Sequence, residues 1–289
     1  MADPYRPYKR VLTRQEVCNL CRASDLARKP EGFLISQYRP PFSDVFSGKE
    51  FVLHFNQGTV LHYRFLDSHH LDWSENGKDW QQEEYDALPS TRRGVYMVQH
   101  LRCATVPTEG IVLIIDTRDE LVTWVDLNLG TRESDSNFRF DFYFGYYGLE
   151  KQHLHGYTAE LCGTILDWKY ADQFVIRHEY VTPYCVLSPG EPSDNENDYL
   201  FRKTLPARYA KIRDDLYMVT FAEDDGSAFT LLIDTRRLRD IGAIIALDEK
   251  GRLSHYMIGA VAGRGTFGFT GEFSIAHGPE AQALIPPED

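Results

Sequence analysis

The chain has no long apolar run. Stretches such as Ile111–Ile115 fall far short of the roughly 20 residues that a bilayer-spanning helix needs, so no membrane crossing is expected. Its first ten residues, Met1 to Arg10, are charged and proline-rich with nothing apolar behind them; no secretory leader is expected, and the reading is a cytoplasmic protein. Basic charge is scarce too. Against 43 Asp+Glu there are 31 Lys+Arg, a net charge of −12, and such a surface repels the phosphates on which nucleic-acid binding depends. Cysteine is sparse and odd in number: Cys18, Cys21, Cys103, Cys162 and Cys185 read as reduced thiols. Cys18-Asn-Leu-Cys21 lacks the second pair that a zinc site wants.

Catalytic signatures are missing as well. No GxSxG, HExxH or P-loop occurs, which leaves serine hydrolase, zincin and NTPase chemistry without support. Gly263-Arg-Gly-Thr-Phe-Gly268 spells GxGxxG, but Phe267 to Phe273 reads as strand or turn where a dinucleotide site needs a helix. His69-His70 beside Asp67 and Asp72, and His153 with His155 on one strand face, each offer two metal ligands where a strong site needs three. The expectation is an activity or binding function with no metal, no nucleotide and no other cofactor.

What is present is β-sequence. After one weak helical segment, roughly Thr13 to Arg28, and a break at Arg39-Pro-Pro-Phe42, short alternating runs of Val, Ile, Phe, Tyr and Thr extend from Phe51 to about Ala262. Turn signals such as Asn56-Gln-Gly58, Asn76-Gly-Lys78 and Asp224-Asp-Gly226 separate them, the pattern of a sandwich or barrel. The chain also repeats itself. Gly48-Lys-Glu-Phe51 is echoed by Gly163-Thr-Ile-Leu166, Tyr96-Met-Val98 by Tyr217-Met-Val219, and Leu113-Ile-Ile-Asp-Thr-Arg118 by Leu231-Leu-Ile-Asp-Thr-Arg236, in the same order and at nearly constant spacing.

The expected fold is therefore all-β: two tandem antiparallel barrels, 44–135 and 160–262, each large enough to hold one small ligand. An N-terminal extension (1–43) with the helical segment, an aromatic linker (136–159) and a C-terminal segment (263–289) complete the plan. Phe138-Arg-Phe-Asp-Phe-Tyr-Phe-Gly-Tyr-Tyr147 in the linker reads as a strand or bridge between barrels, or as an aromatic lid. The aligned Asp116-Thr-Arg118 and Asp234-Thr-Arg236 read as hairpin turns.

These repeated motifs resemble those of the molybdenum cofactor biosynthesis protein F family, over about 44 to 262. The resemblance implies paired lipocalin-like (calycin) domains and an association with molybdenum cofactor metabolism. Each half is also distantly similar to bacterial phenolic acid decarboxylases, in which two tyrosines at alternating positions of the first strand grip the substrate carboxylate, with an Arg and a Glu deeper in the barrel. At those tyrosine positions this chain has Leu53 and Phe55 in the first copy and Trp168 and Tyr170 in the second.

Strand alternation turns Leu53, Phe55, Leu61, Tyr63 and Phe65 into the first barrel, an almost purely apolar interior. The second receives Trp168, Tyr170, Ile176, His178, Tyr180, Tyr217 and Phe221, an aromatic wall with a few convergent polar groups, the usual composition of a ligand pocket. His178 is the expected acid/base, because the ordinary imidazole pKa lies near 6.5. Tyr170 and Tyr180 would hold and polarise a carbonyl or carboxylate; Trp168, Tyr217 and Phe221 would line the pocket, with Arg202 or Glu223 completing the set. Two functions stay open: a cofactor-independent lyase or isomerase acting on a small aromatic or unsaturated molecule, and a non-catalytic carrier or chaperone for a pterin-like or other hydrophobic metabolite. A small-molecule ligand or substrate, and at most a second copy of this chain as a homodimer, are the expected partners.

Overall fold

The computed structural model describes residues 37–102, 109–128, 139–171, 174–189, 202–223, 227–247 and 253–264. The expected helix, Cys18, Cys21, Cys103 and the chain beyond 264 lie outside them. Eight strands close the first barrel: β1 (Glu50–Phe55), β2 (Val60–Phe65), β3 (His70–Glu75), β4 (Gln81–Pro89), β5 (Val95–Leu101), β6 (Glu109–Asp116), β7 (Leu121–Asn128) and β8 (Arg139–Tyr147). Each pairs antiparallel with the next, and β8 returns to β1 through Leu53↔Tyr147, His54↔Tyr146 and Phe55↔Gly145. After a short β9 (Gly156–Tyr157), the second barrel runs through β10 (Thr164–Ala171), β11 (Phe174–Thr182), β12 (Cys185–Pro189), β13 (Arg202–Arg213), β14 (Leu216–Glu223), β15 (Ser227–Asp234), β16 (Arg239–Leu247) and β17 (Leu253–Arg264). The β10–β17 and β12–β13 pairings close this ring. β9 adds to β13 beyond the stretch that pairs with β12.

The two barrels follow one strand plan, residue for residue at the repeated motifs. Gly48 (φ 74°) and Gly163 (φ 84°) both adopt the left-handed conformation before the first strand. Their N–H groups donate to Phe65 O and Tyr180 O, each in the second strand of its barrel. Tyr96 pairs with Ile115 as Tyr217 pairs with Ile233, and Asp116 and Asp234 end the sixth strand of each copy.

One boundary moves. The segment expected as a linker supplies β8, so the first barrel reaches Tyr147 and does not end at 135. Both faces of β8 are covered: Tyr143 and Tyr147 pack against the barrel interior, while Phe140, Phe142 and Phe144 join a cluster shared with the second barrel. That shared core sandwiches Met97, Val112, Ile114 and Val125 of one barrel against Met218, Leu232, Ile241 and Met257 of the other. The barrels are thereby fused through outer strand faces.

Gly145 decides whether the first barrel can close. A Cβ there would collide with the carbonyl oxygen of His54, a backbone atom that has no rotamer to move. Gly145→Ala should therefore cost roughly 1–3 kcal/mol or more, because relief requires parting β1 from β8 along a three-pair seam. Urea denaturation measures it, and an unchanged midpoint would contradict this close approach.

Candidate functional site

The second barrel gathers six of the eight predicted residues. Trp168, Tyr170, Tyr180, Tyr217 and Phe221 belong to one interior cluster, all less than 10% exposed, and His178 is buried against it. Arg202 opens β13 and Glu223 ends β14, but their side chains lie outside the described residues. Strand alternation accounts for the convergence: Trp168 and Tyr170 on β10, His178 and Tyr180 on β11, and Tyr217 and Phe221 on β14 are each two or four residues apart.

Most of the polar atoms in this wall have partners within the protein. Trp168 Nε1 donates to Tyr180 Oη at 3.0 Å, and Tyr170 Oη donates to Asp240 Oδ2 at 2.9 Å. Tyr217 Oη reaches out to Glu160 Oε2 at 3.0 Å, and Tyr209, an interior residue absent from the sequence reading, donates to Cys185 O at 2.6 Å. Two buried atoms are left over: His178 Nδ1 and Asp240 Oδ1 have no hydrogen-bond partner among the described residues.

The same burial acts oppositely on these two groups. It pushes the His178 imidazole down to about 4, leaving the ring neutral at pH 7 and edge-on to Phe221 (5.2 Å between ring centres). It pushes the Asp240 carboxyl up to about 7, with the Tyr170 hydroxyl, the Ala260 backbone N–H and the Arg239 charge pulling part of the way back. The carboxyl that burial brings nearest to neutrality in this interior is thus Asp240, which sequence reading missed: Arg239-Asp240 follows a turn, where an aspartate reads as exposed.

Between the barrels lies a cleft of about 660 Å³, lined in part by Arg118, His155, Tyr157, Lys211 and Arg213. Its cations are largely engaged: Arg213 with Asp116, and Lys211 with Glu160 and Asp214. The expected sharing of a strand face by His153 and His155 does not occur. Neither is in a strand; His153 is exposed, and His155 is buried with Nδ1 bonded to Thr123 Oγ1 at 2.9 Å. His70 Nδ1 contacts Asp67 Oδ2 at 2.8 Å in an exposed turn.

Comparison with known families matches residues 25–129 to the MoaF N-terminal domain. This stretch is similar to that domain over little more than a third of the chain. The chain matches no curated protein. The MoaF match covers β1 to β7 of the first barrel and stops before β8.

The interior of the first barrel is more polar than alternation at β1 and β2 implies. Tyr63 Oη lies 2.9 Å from His100 Nε2, while His100 Nδ1 lies 3.0 Å from Leu101 O. Since a carbonyl only accepts, Nδ1 carries the proton and Nε2 accepts from tyrosine. By the motif alignment, Tyr63 and His100 correspond to His178 and Phe221 of the second copy. The internally satisfied pair of one barrel is thus replaced by an imidazole facing a phenyl ring in the other. Beyond His100, Arg102 sits between β5 and β6 with Trp73, Trp124 and Asp126 around it.

Proposed function

We propose that the second barrel holds a small aromatic or unsaturated organic molecule and moves a proton on it, as a cofactor-independent isomerase or lyase does. Asp240 carries this reading: a fully buried carboxyl pushed up to about 7, with Oδ2 held by Tyr170 and Oδ1 without a side-chain partner among the described residues, in an otherwise aromatic interior. In the isomerase form, the Asp240 carboxylate takes a proton from a carbon next to a carbonyl or double bond. It returns that proton to another carbon of the same molecule, so the step balances without a co-reactant. Tyr170 keeps the carboxyl oriented through Oδ2. Neutral His178 serves as a hydrogen-bonding group, and Trp168, Tyr180 and Phe221 serve as the apolar wall.

Solvent-deuterium exchange tests this on a panel of unsaturated ketones and acids, read by NMR. The wild type should exchange an acidic C–H of at least one of them, and Tyr170→Phe should slow that exchange at least tenfold. Exchange that proceeds equally in both would remove the pair from the chemistry.

A carrier reading has one observation of its own. The hydroxyls of Tyr170, Tyr180, Tyr209 and Tyr217 all have partners inside the protein, an arrangement that suits shape-selective holding of a hydrophobic or pterin-like metabolite. Binding without exchange or turnover would favour it.

A further inference from the structure

The strongest unexplained chemistry lies at one end of the first barrel. Val98, His100 and Arg102 alternate along β5 and its extension, so Arg102 continues the inward face on which His100 meets Tyr63. Its guanidinium lies 5.5 Å from the Trp73 ring centre and 5.7 Å from that of Trp124, and Tyr143 extends the aromatic surface 4.6 Å from Trp124. Among the described residues, three buried donors here have no acceptor: Trp73 Nε1, Trp124 Nε1 and Arg102 Nε. Gln81, the cross-strand neighbour of Trp73, has a buried amide oxygen with no donor. Such atoms are ordinarily paired in a folded protein; here two indole N–H groups flank one guanidinium, and the Gln81 amide lies beside one of those indoles, a pattern able to recognise a ligand.

Charge narrows the ligand class. Asp126 and Glu109 lie 3.2 and 3.6 Å from the Arg102 guanidinium. Burial raises the Asp126 carboxyl to about 6, and the negative field of Glu109, Asp141 and Glu75 contributes. An anionic ligand would meet several carboxylates around a single arginine, whereas a cation would meet a guanidinium already placed against both indoles. A neutral ring remains. Its acceptor would answer the indole N–H groups, its donor would answer Gln81, and its faces would pack on the tryptophans.

We propose that this end of the barrel is a second small-molecule site, built for a neutral planar cyclic amide with a ring carbonyl beside a ring N–H. Tyr63 and His100 form its floor, already satisfied by each other. The site uses no residue of the second barrel, and its outcome is independent of the proton-transfer reading.

Calorimetry and ligand-observed NMR with quinolin-2-one, a neutral lactam, and quinoline-2-carboxylate, an anion of similar shape, test it on the full chain. The lactam should bind, with the carboxylate at least tenfold weaker. Trp124→Phe and Trp73→Phe, which keep a ring and lose the N–H, should each weaken the lactam at least tenfold. Gln81→Met, at a less buried position, should do the same and covers the case in which a tryptophan variant does not fold. Tyr170→Phe in the other barrel should leave lactam binding unchanged. The proposal is overturned if no lactam binds at millimolar concentration, if the carboxylate binds as well or better, if folded Trp and Gln81 variants bind normally, or if Tyr170→Phe abolishes binding.

Discussion

Arg213→Ala is expected to cost about 3 kcal/mol of stability at neutral pH, a large effect for one residue at the seam between the barrels. Arg213 ends β13 of the second barrel and donates through Nε and Nη2 to both oxygens of Asp116, each at 2.6 Å; Asp116 ends β6 of the first and is fully buried. Removing the guanidinium strands that carboxylate, leaving it only the Arg118 and Asp119 backbone N–H groups, each at 3.0 Å. The seam is reciprocal: Asp234, the counterpart of Asp116, contacts Arg92 Nε at 2.9 Å and accepts from Thr91 Oγ1 at 2.6 Å, both in the first barrel. The sign with pH is fixed. Burial raises the Asp116 carboxyl, but Arg213 and the backbone donors outweigh it and hold the pKa below the usual 3.8. The pair's stabilisation is therefore present above the unfolded-state value and disappears as pH falls through the lower folded value. Urea denaturation of wild type and variant should show a full gap at pH 7 that closes in strong acid. Asp116→Asn in the Arg213→Ala background should recover part of the loss. A neutral-pH gap under about 1 kcal/mol would mean that the shared apolar core alone holds the barrels together.

The same aspartates show how far the sequence could be read. Asp116-Thr-Arg118 and Asp234-Thr-Arg236 are turn residues as expected, since each carboxylate accepts two backbone N–H groups of its own turn. Their second role needs a partner from the other barrel, which no local pattern announces. The duplication was legible because the first strand, the Tyr-Met-Val strand and the Asp-Thr-Arg hairpin must keep their turn chemistry in both copies. The Phe138–Tyr147 segment was not assigned to the barrel because aromatic residues on both faces of β8 pack against the protein, which erases the period-2 signal of a half-exposed strand. In the candidate sites, the aromatic wall of the second barrel followed from alternation. Asp240 did not, because Tyr170 is its partner across 70 residues of chain. The polar end of the first barrel had a readable signal: extending the Tyr96-Met-Val98 strand by two and four residues puts His100 and Arg102 on the face of Val98. Their pairing with Tyr63 and Asp126 depends on barrel closure, which sequence spacing does not fix.

Asp240→Asn should separate function from stability more sharply than any other substitution in the second barrel. If Asp240 exchanges the proton, its loss should lower turnover by a factor of roughly 10² to 10⁴, the usual contribution of a positioned acid or base. Stability should move the other way. The folded carboxyl lies at about 7 against an ordinary 3.8, so the folded state resists ionisation that the unfolded chain accepts freely. Stability is accordingly highest below the unfolded value, declines as pH rises between the two, and reaches its full deficit above about 7. At about 1.36 kcal/mol per pH unit the deficit approaches 4 kcal/mol as an upper bound. An amide removes it while still accepting from Tyr170 Oη. Asp240→Asn should thus melt higher than wild type at pH 8, with the difference vanishing near pH 4, the pattern of a group kept at the expense of stability. Two measurements decide it: thermal unfolding of both proteins at pH 4 and pH 8, and the pH profile of deuterium exchange, whose limb near 7 should disappear in the variant. A variant that melts lower at pH 8 and exchanges normally would make the Tyr170–Asp240 bond a structural tie and return the second barrel to the carrier reading.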